Sequence, residues 1–247
     1  MFNLVQLAIS LCLEVWLAIL LLRRRVQQHF PLFVLFLMLL VPVTAIRLMI
    51  TSNYYWYFYF YWWSNAALTL LGLAAFHQVF RKVYEGFYSF WWFKGLYFGT
   101  IAVVLSVAVL YSIFSPAVQA DWLISLILAL GIAVNLLQAG IAALFGVLSR
   151  PFAVEMRRYP QGIAAGFAAS SLGPFIGYLA RSVFGNKMDP FTKNASSVAY
   201  IVGLVLWLVT FLGAEPEESS WTPPLSPDEM LSVVREYWGV FGRRKRS

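Results

Sequence analysis

The sequence predicts an all-α integral membrane protein, a bundle of seven transmembrane helices with its N-terminus outside and its C-terminus in the cytoplasm. Of its 247 residues, 61% are hydrophobic and only 12% are charged, whereas about a quarter are charged in an ordinary soluble domain. Apolar stretches long enough to cross a bilayer recur along the chain. Basic residues fall mainly between alternate stretches, as expected of a polytopic membrane protein.

The predicted transmembrane segments follow from the length that a bilayer demands, about 20 apolar residues for a helix. The seven segments cover residues 2–22, 31–50, 55–80, 93–113, 122–148, 160–182 and 196–212. Residues 1–213 therefore form one transmembrane domain, and residues 214–247 form a cytoplasmic tail. This length leaves no room for a separate catalytic domain.

The distribution of positive charge predicts the orientation. Of the 18 Lys and Arg residues, all but four lie in alternate loops or in the tail, and these four are Arg47, Arg181, Lys187 and Lys193. Cytoplasmic loops carry such an excess of Lys and Arg. We expect a multi-pass protein of the cell (inner or plasma) membrane, and because topology accounts for the net charge of +7, we expect no nucleic-acid partner.

Residues 54–63 are ten consecutive aromatic residues, YYWYFYFYWW, at the start of segment 3. Trp and Tyr concentrate where headgroups meet hydrocarbon, because their rings are apolar and their N–H and O–H groups need polar partners. The run predicts an anchor at the outer membrane interface. Ten successive residues cover every face of a helix, so some rings must contact other helices or cover the outer mouth of the bundle as a lid.

The tail divides into two parts. Residues 215–224 are acidic and rich in Pro, which is typical of a linker. Residues 226–229 (SPDE) form a helix-start signal, and the following residues have one apolar side and end in Arg243-Arg244-Lys245-Arg246. This pattern predicts a short amphipathic helix on the inner leaflet that binds anionic lipid. The alternative is a solvated tail.

A set of polar residues lies deep in the predicted segments. Glu14 is roughly 18 Å along segment 1 at 1.5 Å per residue, where a charged side chain costs at least about 2.5–3.5 kcal/mol. If the set converges, it lines one polar cavity that could hold a small ligand or an ion. The alternative is that Glu14 is protonated and joins two helices through a hydrogen bond to one of the amides. The candidate ligand-binding residues are Glu14, Asn65, Asn135, Gln138, Ser170 and Ser171.

Arg47 and Arg181 form a second candidate site, since each lies within about one turn of the predicted outer surface. Arginine suits bidentate contacts with carboxylate or phosphate, so the pair predicts an outer anion site. The alternatives are salt bridges with Asp121 and Asp189, or side chains that simply extend to the interface.

Segment 6 carries four glycines in two GxxxG patterns, Gly162, Gly166, Gly173 and Gly177. Small residues four apart let helices approach closely in lipid, where packing drives association. We expect these glycines to form a helix-packing surface.

Catalytic and cofactor-binding motifs are absent from the sequence. There is no HExxH, GxSxG or Walker-type motif. Cys12 is the only cysteine, so no intramolecular disulfide or Cys-based metal site can form. We expect no enzyme activity, no cofactor and no bound metal.

These observations favour a receptor-like or accessory membrane protein that binds a small ligand or a membrane partner in the bundle. Two alternatives remain. Pro42 and Pro174 predict kinks in segments 2 and 6, as in a small-solute transporter with a mid-membrane polar site. The aromatic and Gly-rich faces also fit a structural subunit of a larger membrane complex, or a homo-oligomer.

Overall fold

The computed structural model describes residues 2–83, 91–114, 122–149 and 158–213. These residues form seven α-helices and no β-strand, so the all-α prediction is confirmed. The predicted tail helix and Asp121 lie outside the described residues. The helices are α1 (Phe2–Arg23), α2 (Pro31–Met49), α3 (Tyr54–Val83), α4 (Trp91–Phe114), α5 (Trp122–Ser149), α6 (Arg158–Phe184) and α7 (Asp189–Leu212).

Three helices in the described part of the chain are long and apolar enough to cross a membrane: α1, α2 and α7. Their outward faces leave large apolar side chains uncovered, among them Trp16 and Ile19 on α1 and Val202 and Val209 on α7. Helices that are apolar on every face are typical of membrane spans. The uncovered faces of these three helices are suited to contact with lipid.

Short connections and polar contacts define the direction of the helices. Gln78, near the end of α3, accepts a 3.0 Å hydrogen bond from the backbone N–H of Leu32 at the start of α2. Arg24 donates a 3.1 Å bond to the carbonyl of Leu212 at the end of α7. The end of the bundle that holds Arg24, Lys82 and Arg158 is called the basic end below, and the far end is that of the turn at residues 50–53 between α2 and α3.

Large aromatic side chains fill the bundle near the basic end. Phe33 lies 5.3 Å from Trp207 between ring centroids, and Phe167 lies 5.1 Å from Trp207 and 5.2 Å from Phe76. All four rings are buried. Because they come from α2, α3, α6 and α7, this aromatic core closes the bundle on the side of the basic end.

Helices α6 and α7 run antiparallel and approach each other more closely than any other described pair. A Cβ atom at any of the four glycines of the GxxxG patterns would overlap α7. The pairs are Gly162 against Thr210, Gly166 against Trp207, Gly173 against Ala199 and Gly177 against Thr192. The gap left by the missing side chains also lets the Trp207 indole donate a 3.1 Å bond to the carbonyl of Ile163.

The start of α7 differs from the prediction. Segment 7 was predicted to begin at residue 196, but Gly185–Met188 form a 3-10 turn and α7 begins at Asp189. The predicted start is wrong because the polar composition of residues 189–195 concealed the first turns of the helix. Pro190 sits in the first turn, where its missing N–H costs nothing, and Thr192 ties that turn to α6 by a 2.9 Å bond to the carbonyl of Gly177.

Candidate functional site

Glu14 lies on a polar stripe of α1. Gln6, Ser10 and Glu14 are four residues apart, so they share one face of the helix. Ser10 and Glu14 are both buried, and the Ser10 hydroxyl donates a 2.8 Å bond to the carbonyl of Gln6. The apolar residues that continue this face toward the basic end begin with Leu17.

The carboxyl group of Glu14 is fully enclosed, with 0% of the residue exposed. Its Oε1 accepts two hydrogen bonds, one of 3.1 Å from the Thr44 hydroxyl on α2 and one of 2.5 Å from the Tyr200 hydroxyl on α7. Its Oε2 is buried and has no hydrogen-bond partner among the described residues. An acidic group is thus held between the three helices that qualify as membrane spans.

Arg47 lies one turn beyond Thr44 on the same face of α2. Its Nη2 donates a 2.7 Å bond to the Ser64 hydroxyl and a 3.4 Å bond to the carbonyl of Tyr61, both on α3. The guanidinium carbon is 4.7 Å from the centre of the Tyr61 ring, within the range of a cation–π contact.

The Nε atom of Arg47 is buried and, like the Oε2 atom of Glu14, has no hydrogen-bond partner in the described structure. Arg47 and Glu14 interact electrostatically without a direct ion pair. The residues joined in this way, called the Glu14–Arg47 network below, are Glu14, Thr44, Arg47, Tyr61, Ser64 and Tyr200.

The network is closed toward the basic end by leucines. One turn from Glu14, Thr44 and Tyr200 in that direction lie Leu17, Leu40 and Leu204, all three of them buried. The aromatic core lies beyond the leucines. Toward the far end lie Ser10 and Gln6, which are polar. Within the described residues, polar groups therefore approach the network from the far end and not from the basic end.

Gln138 and Ser171 form a second buried polar contact. The Ser171 hydroxyl on α6 donates a 2.6 Å bond to Oε1 of Gln138 on α5. The amide nitrogen of Gln138 lies beside Gly72 of α3, where a Cβ atom would be 3.5 Å away from it. This contact joins three helices, as expected of a polar group that acts as helix glue.

The side chains of the other three candidates make no hydrogen bond to either buried group within the described residues. Asn65 and Asn135 are partly buried, and neither side chain makes a hydrogen bond within the described residues. Ser170 donates to the carbonyl of Phe167 on its own helix, at 3.0 Å, and lies against Gly203 of α7. In the described structure, the six predicted residues thus divide between the Glu14–Arg47 network, the Gln138–Ser171 contact and three separate positions.

Of the two candidate outer arginines, the structure describes the side chain of Arg47 only. Arg47 belongs to the Glu14–Arg47 network, whereas Arg181 lies on α6 with a side chain outside the described structure, so the predicted pairing stays a prediction. The other members of the network, Thr44, Tyr61, Ser64 and Tyr200, were not predicted from the sequence. Two signals were available: Thr44 and Arg47 are three apart, and Tyr200 is the only tyrosine of segment 7.

A histidine lies near the basic end. Nδ1 of His77 is 2.9 Å from the Tyr97 hydroxyl, and the two rings stack with centroids 5.3 Å apart. Among the described residues, no three His, Cys, Asp or Glu side chains are grouped so that they could bind a metal ion. The contact between His77 and Tyr97 joins α3 to α4.

Comparison with known proteins found no matching protein-family model, no matching curated protein and no matching solved structure. The functional conclusion therefore depends on the geometry of the Glu14–Arg47 network.

Proposed function

We propose that this chain is a seven-helix protein of the cell membrane, receptor-like or accessory in function, which binds a small ligand within the bundle at the Glu14–Arg47 network. The three long apolar helices and their uncovered apolar side chains support the membrane setting. The other four helices, of 24 to 30 residues, are long enough to cross as well.

The orientation in this proposal follows the positive charge. The basic end, with Arg24, Lys82 and Arg158, faces the cytoplasm, and the far end faces outward. The tail, which closes with Arg243–Arg246, adds basic residues on the cytoplasmic side and contacts anionic lipid there.

One observation carries the binding role: the Oε2 atom of Glu14 and the Nε atom of Arg47 are both buried and unpaired. Buried polar groups nearly always have hydrogen-bond partners, and an unsatisfied one costs about 1–3 kcal/mol, more when it is charged. Here an acceptor and a donor are unsatisfied on neighbouring helices. A ligand that satisfies both would recover this energy on binding.

The closed side of the network favours binding over transport. A transporter needs a polar path that continues to the other side of the membrane, yet Leu17, Leu40 and Leu204 follow the network toward the basic end. A receptor for an external ligand needs access from the outer side only, and the polar neighbours of the network lie on that side.

A ligand screen tests the proposal. The purified protein in nanodiscs is exposed to a library of small polar molecules, and its thermal unfolding is followed. We expect at least one compound that raises the Tm of the wild-type protein and does not raise that of Glu14→Gln, since binding to the native state stabilises it. A library in which no compound discriminates between the two proteins would contradict the proposal.

The transporter alternative has its own readout. Proteoliposomes that contain the wild-type protein would accumulate the same compound, and those with Glu14→Gln would not. Binding without uptake supports the receptor-like role. Uptake that depends on Glu14 would show that the protein is a transporter instead.

A further inference from the structure

We infer that the ligand of the Glu14–Arg47 network is a small zwitterion, whose ammonium group binds Glu14 and whose carboxylate binds Arg47. The inference deepens the proposed function and rests on it. It is based on one buried acceptor, Glu14 Oε2, and one buried donor, Arg47 Nε. Both atoms lack hydrogen-bond partners among the described residues.

The Glu14 side requires a donor. Its Oε1 already accepts from Thr44 and Tyr200, so only Oε2 is available. No described Lys or Arg side chain pairs directly with this carboxyl group. A ligand ammonium supplies N–H groups and a positive charge, and hydrogen bonds in which the donor or the acceptor is ionised are about twice as strong as neutral ones.

The Arg47 side requires an acceptor of a particular shape. Nε and Nη2 lie along one edge of the guanidinium group, the edge that binds a carboxylate with two parallel hydrogen bonds. Nε is unpaired. Nη2 is held by Ser64 at 2.7 Å and, more weakly, by the carbonyl of Tyr61 at 3.4 Å. A ligand carboxylate takes Nε and replaces the longer Nη2 bond.

The presence of both an acidic and a basic residue in the network disfavours ligands that carry only a negative or only a positive charge. An anion attracted by Arg47 would also meet Glu14, and a cation attracted by Glu14 would meet Arg47. Both residues lie close enough for electrostatic interaction with each other. A molecule with both charges satisfies both residues and enters as a neutral whole, which limits the cost of desolvation.

The spacing limits the ligand to a short one. Arg47 lies three residues beyond Thr44, a rise of about 4.5 Å along α2, and Thr44 marks the level of the Glu14 carboxyl. A short amino acid separates its two charges by a comparable distance. The buried leucines Leu17, Leu40 and Leu204 block extension toward the basic end.

Entry requires Arg47 to move. Both unpaired atoms are sealed from solvent, but Arg47 as a residue is only partly buried, and it lies on the side of the far end. Admission of a ligand along the polar stripe of α1 requires both Nη2 bonds of Arg47, to Ser64 and to Tyr61, to break. Closure of Arg47 over the carboxylate then completes the site.

Calorimetric titration of the wild-type protein in phosphatidylcholine nanodiscs tests the ligand class. The probes are glycine, β-alanine and γ-aminobutyrate, and the single-charge controls are acetate and methylammonium. We expect one zwitterion to bind at least tenfold more tightly than either control. Comparable affinity for acetate or methylammonium, or no binding by any of the three zwitterions, would overturn the inference.

Matched variants locate the binding. Glu14→Gln keeps the Oε1 acceptor for Thr44 and Tyr200 but loses the charge, and Arg47→Lys keeps the charge but loses Nε. We expect each to weaken zwitterion binding at least tenfold, and Arg24→Gln, at the basic end, to leave it unchanged. Unchanged binding by Glu14→Gln or Arg47→Lys counts against the inference. If either variant fails to fold, the comparison of the zwitterions with acetate and methylammonium on the wild-type protein tests the inference.

Failure of the inference is distinguishable from failure of the proposed function. A library compound of another chemistry that binds in a Glu14-dependent manner, while the zwitterions do not, would refute the ligand class and leave the proposed function intact. If neither the library nor the zwitterions bind, both are refuted.

Discussion

The hydroxyl group of Tyr200 donates a 2.5 Å hydrogen bond to Oε1 of Glu14, a residue 186 positions earlier in the chain. Thr44 donates to the same oxygen. A single carboxyl oxygen thereby joins the first, second and last helices of the bundle. The network at this junction is both a stabilising contact and the candidate ligand site.

The link between Tyr200 and Glu14 predicts a loss of stability in Tyr200→Phe. The variant removes one of two donors to a buried carboxyl group, and we expect the free energy of unfolding to fall by about 1–2 kcal/mol. Equilibrium unfolding in mixed micelles measures it. Tyr55→Phe is the matched control, because Tyr55 is 62% exposed; equal effects of the two substitutions would mean that the Tyr200 bond contributes nothing.

The contact between Gly166 and Trp207 predicts that Gly166→Ala separates α6 from α7. An added Cβ would overlap the indole ring, and we expect a loss of about 1–3 kcal/mol. In Gly99→Ala the new Cβ meets nothing within 4 Å, so stability is unchanged or rises by up to about 1 kcal/mol. Thermal unfolding of both variants compares them, and a Gly166→Ala protein as stable as the wild type would contradict the close approach.

The bond between Ser171 and Gln138 predicts that Ser171→Ala destabilises the bundle by about 0.6–2 kcal/mol. Both side chains are buried, so the amide loses its donor where water cannot replace it. Asn135→Ala is the control on the same face of α5, because the Asn135 amide makes no hydrogen bond within the described residues. In mixed micelles, we expect a lower free energy of unfolding for Ser171→Ala than for Asn135→Ala. The reverse order would show that the bond is not stabilising.

The proposed orientation predicts which positions an impermeant maleimide labels in intact cells. All variants also carry Cys12→Ser, because Cys12 is exposed on α1 and its thiol could react with the maleimide. Ser52→Cys, in the turn between α2 and α3, should be labelled directly, and Gln27→Cys, in the turn between α1 and α2, only after permeabilisation. Both positions are exposed. Labelling with the opposite pattern would reverse the proposed orientation.

Local patterns predicted much of the helical framework. Runs of about 20 apolar residues placed most helix ends within a few residues, because a long apolar run specifies a helix without reference to its neighbours. The start of α7 was missed by seven residues, because its first turns are polar and are held by Thr192 against Gly177 on another helix. A contact between two helices produces no periodic pattern in the sequence of either helix alone.

The candidate site was predictable only in part. Glu14 stood out because a carboxyl group inside an apolar segment is costly, and its importance does not depend on knowing its neighbours. Its partners could not be named, since Thr44 and Tyr200 are ordinary residues of their own helices. Conversely, Asn65 and Asn135 looked equivalent to Gln138 in the sequence, and they differ only in what faces them.

The sequence by itself determined that the chain is helical, apolar and suited to a membrane, and it marked Glu14 as the unusual residue, because these properties follow from composition and from distances along one chain. Only the tertiary structure decided that Thr44 of α2 connects Glu14 to the helix that carries Arg47, and that leucines close the network on the side of the basic end. Those relations depend on how each helix is rotated about its axis, and packing between helices sets that rotation.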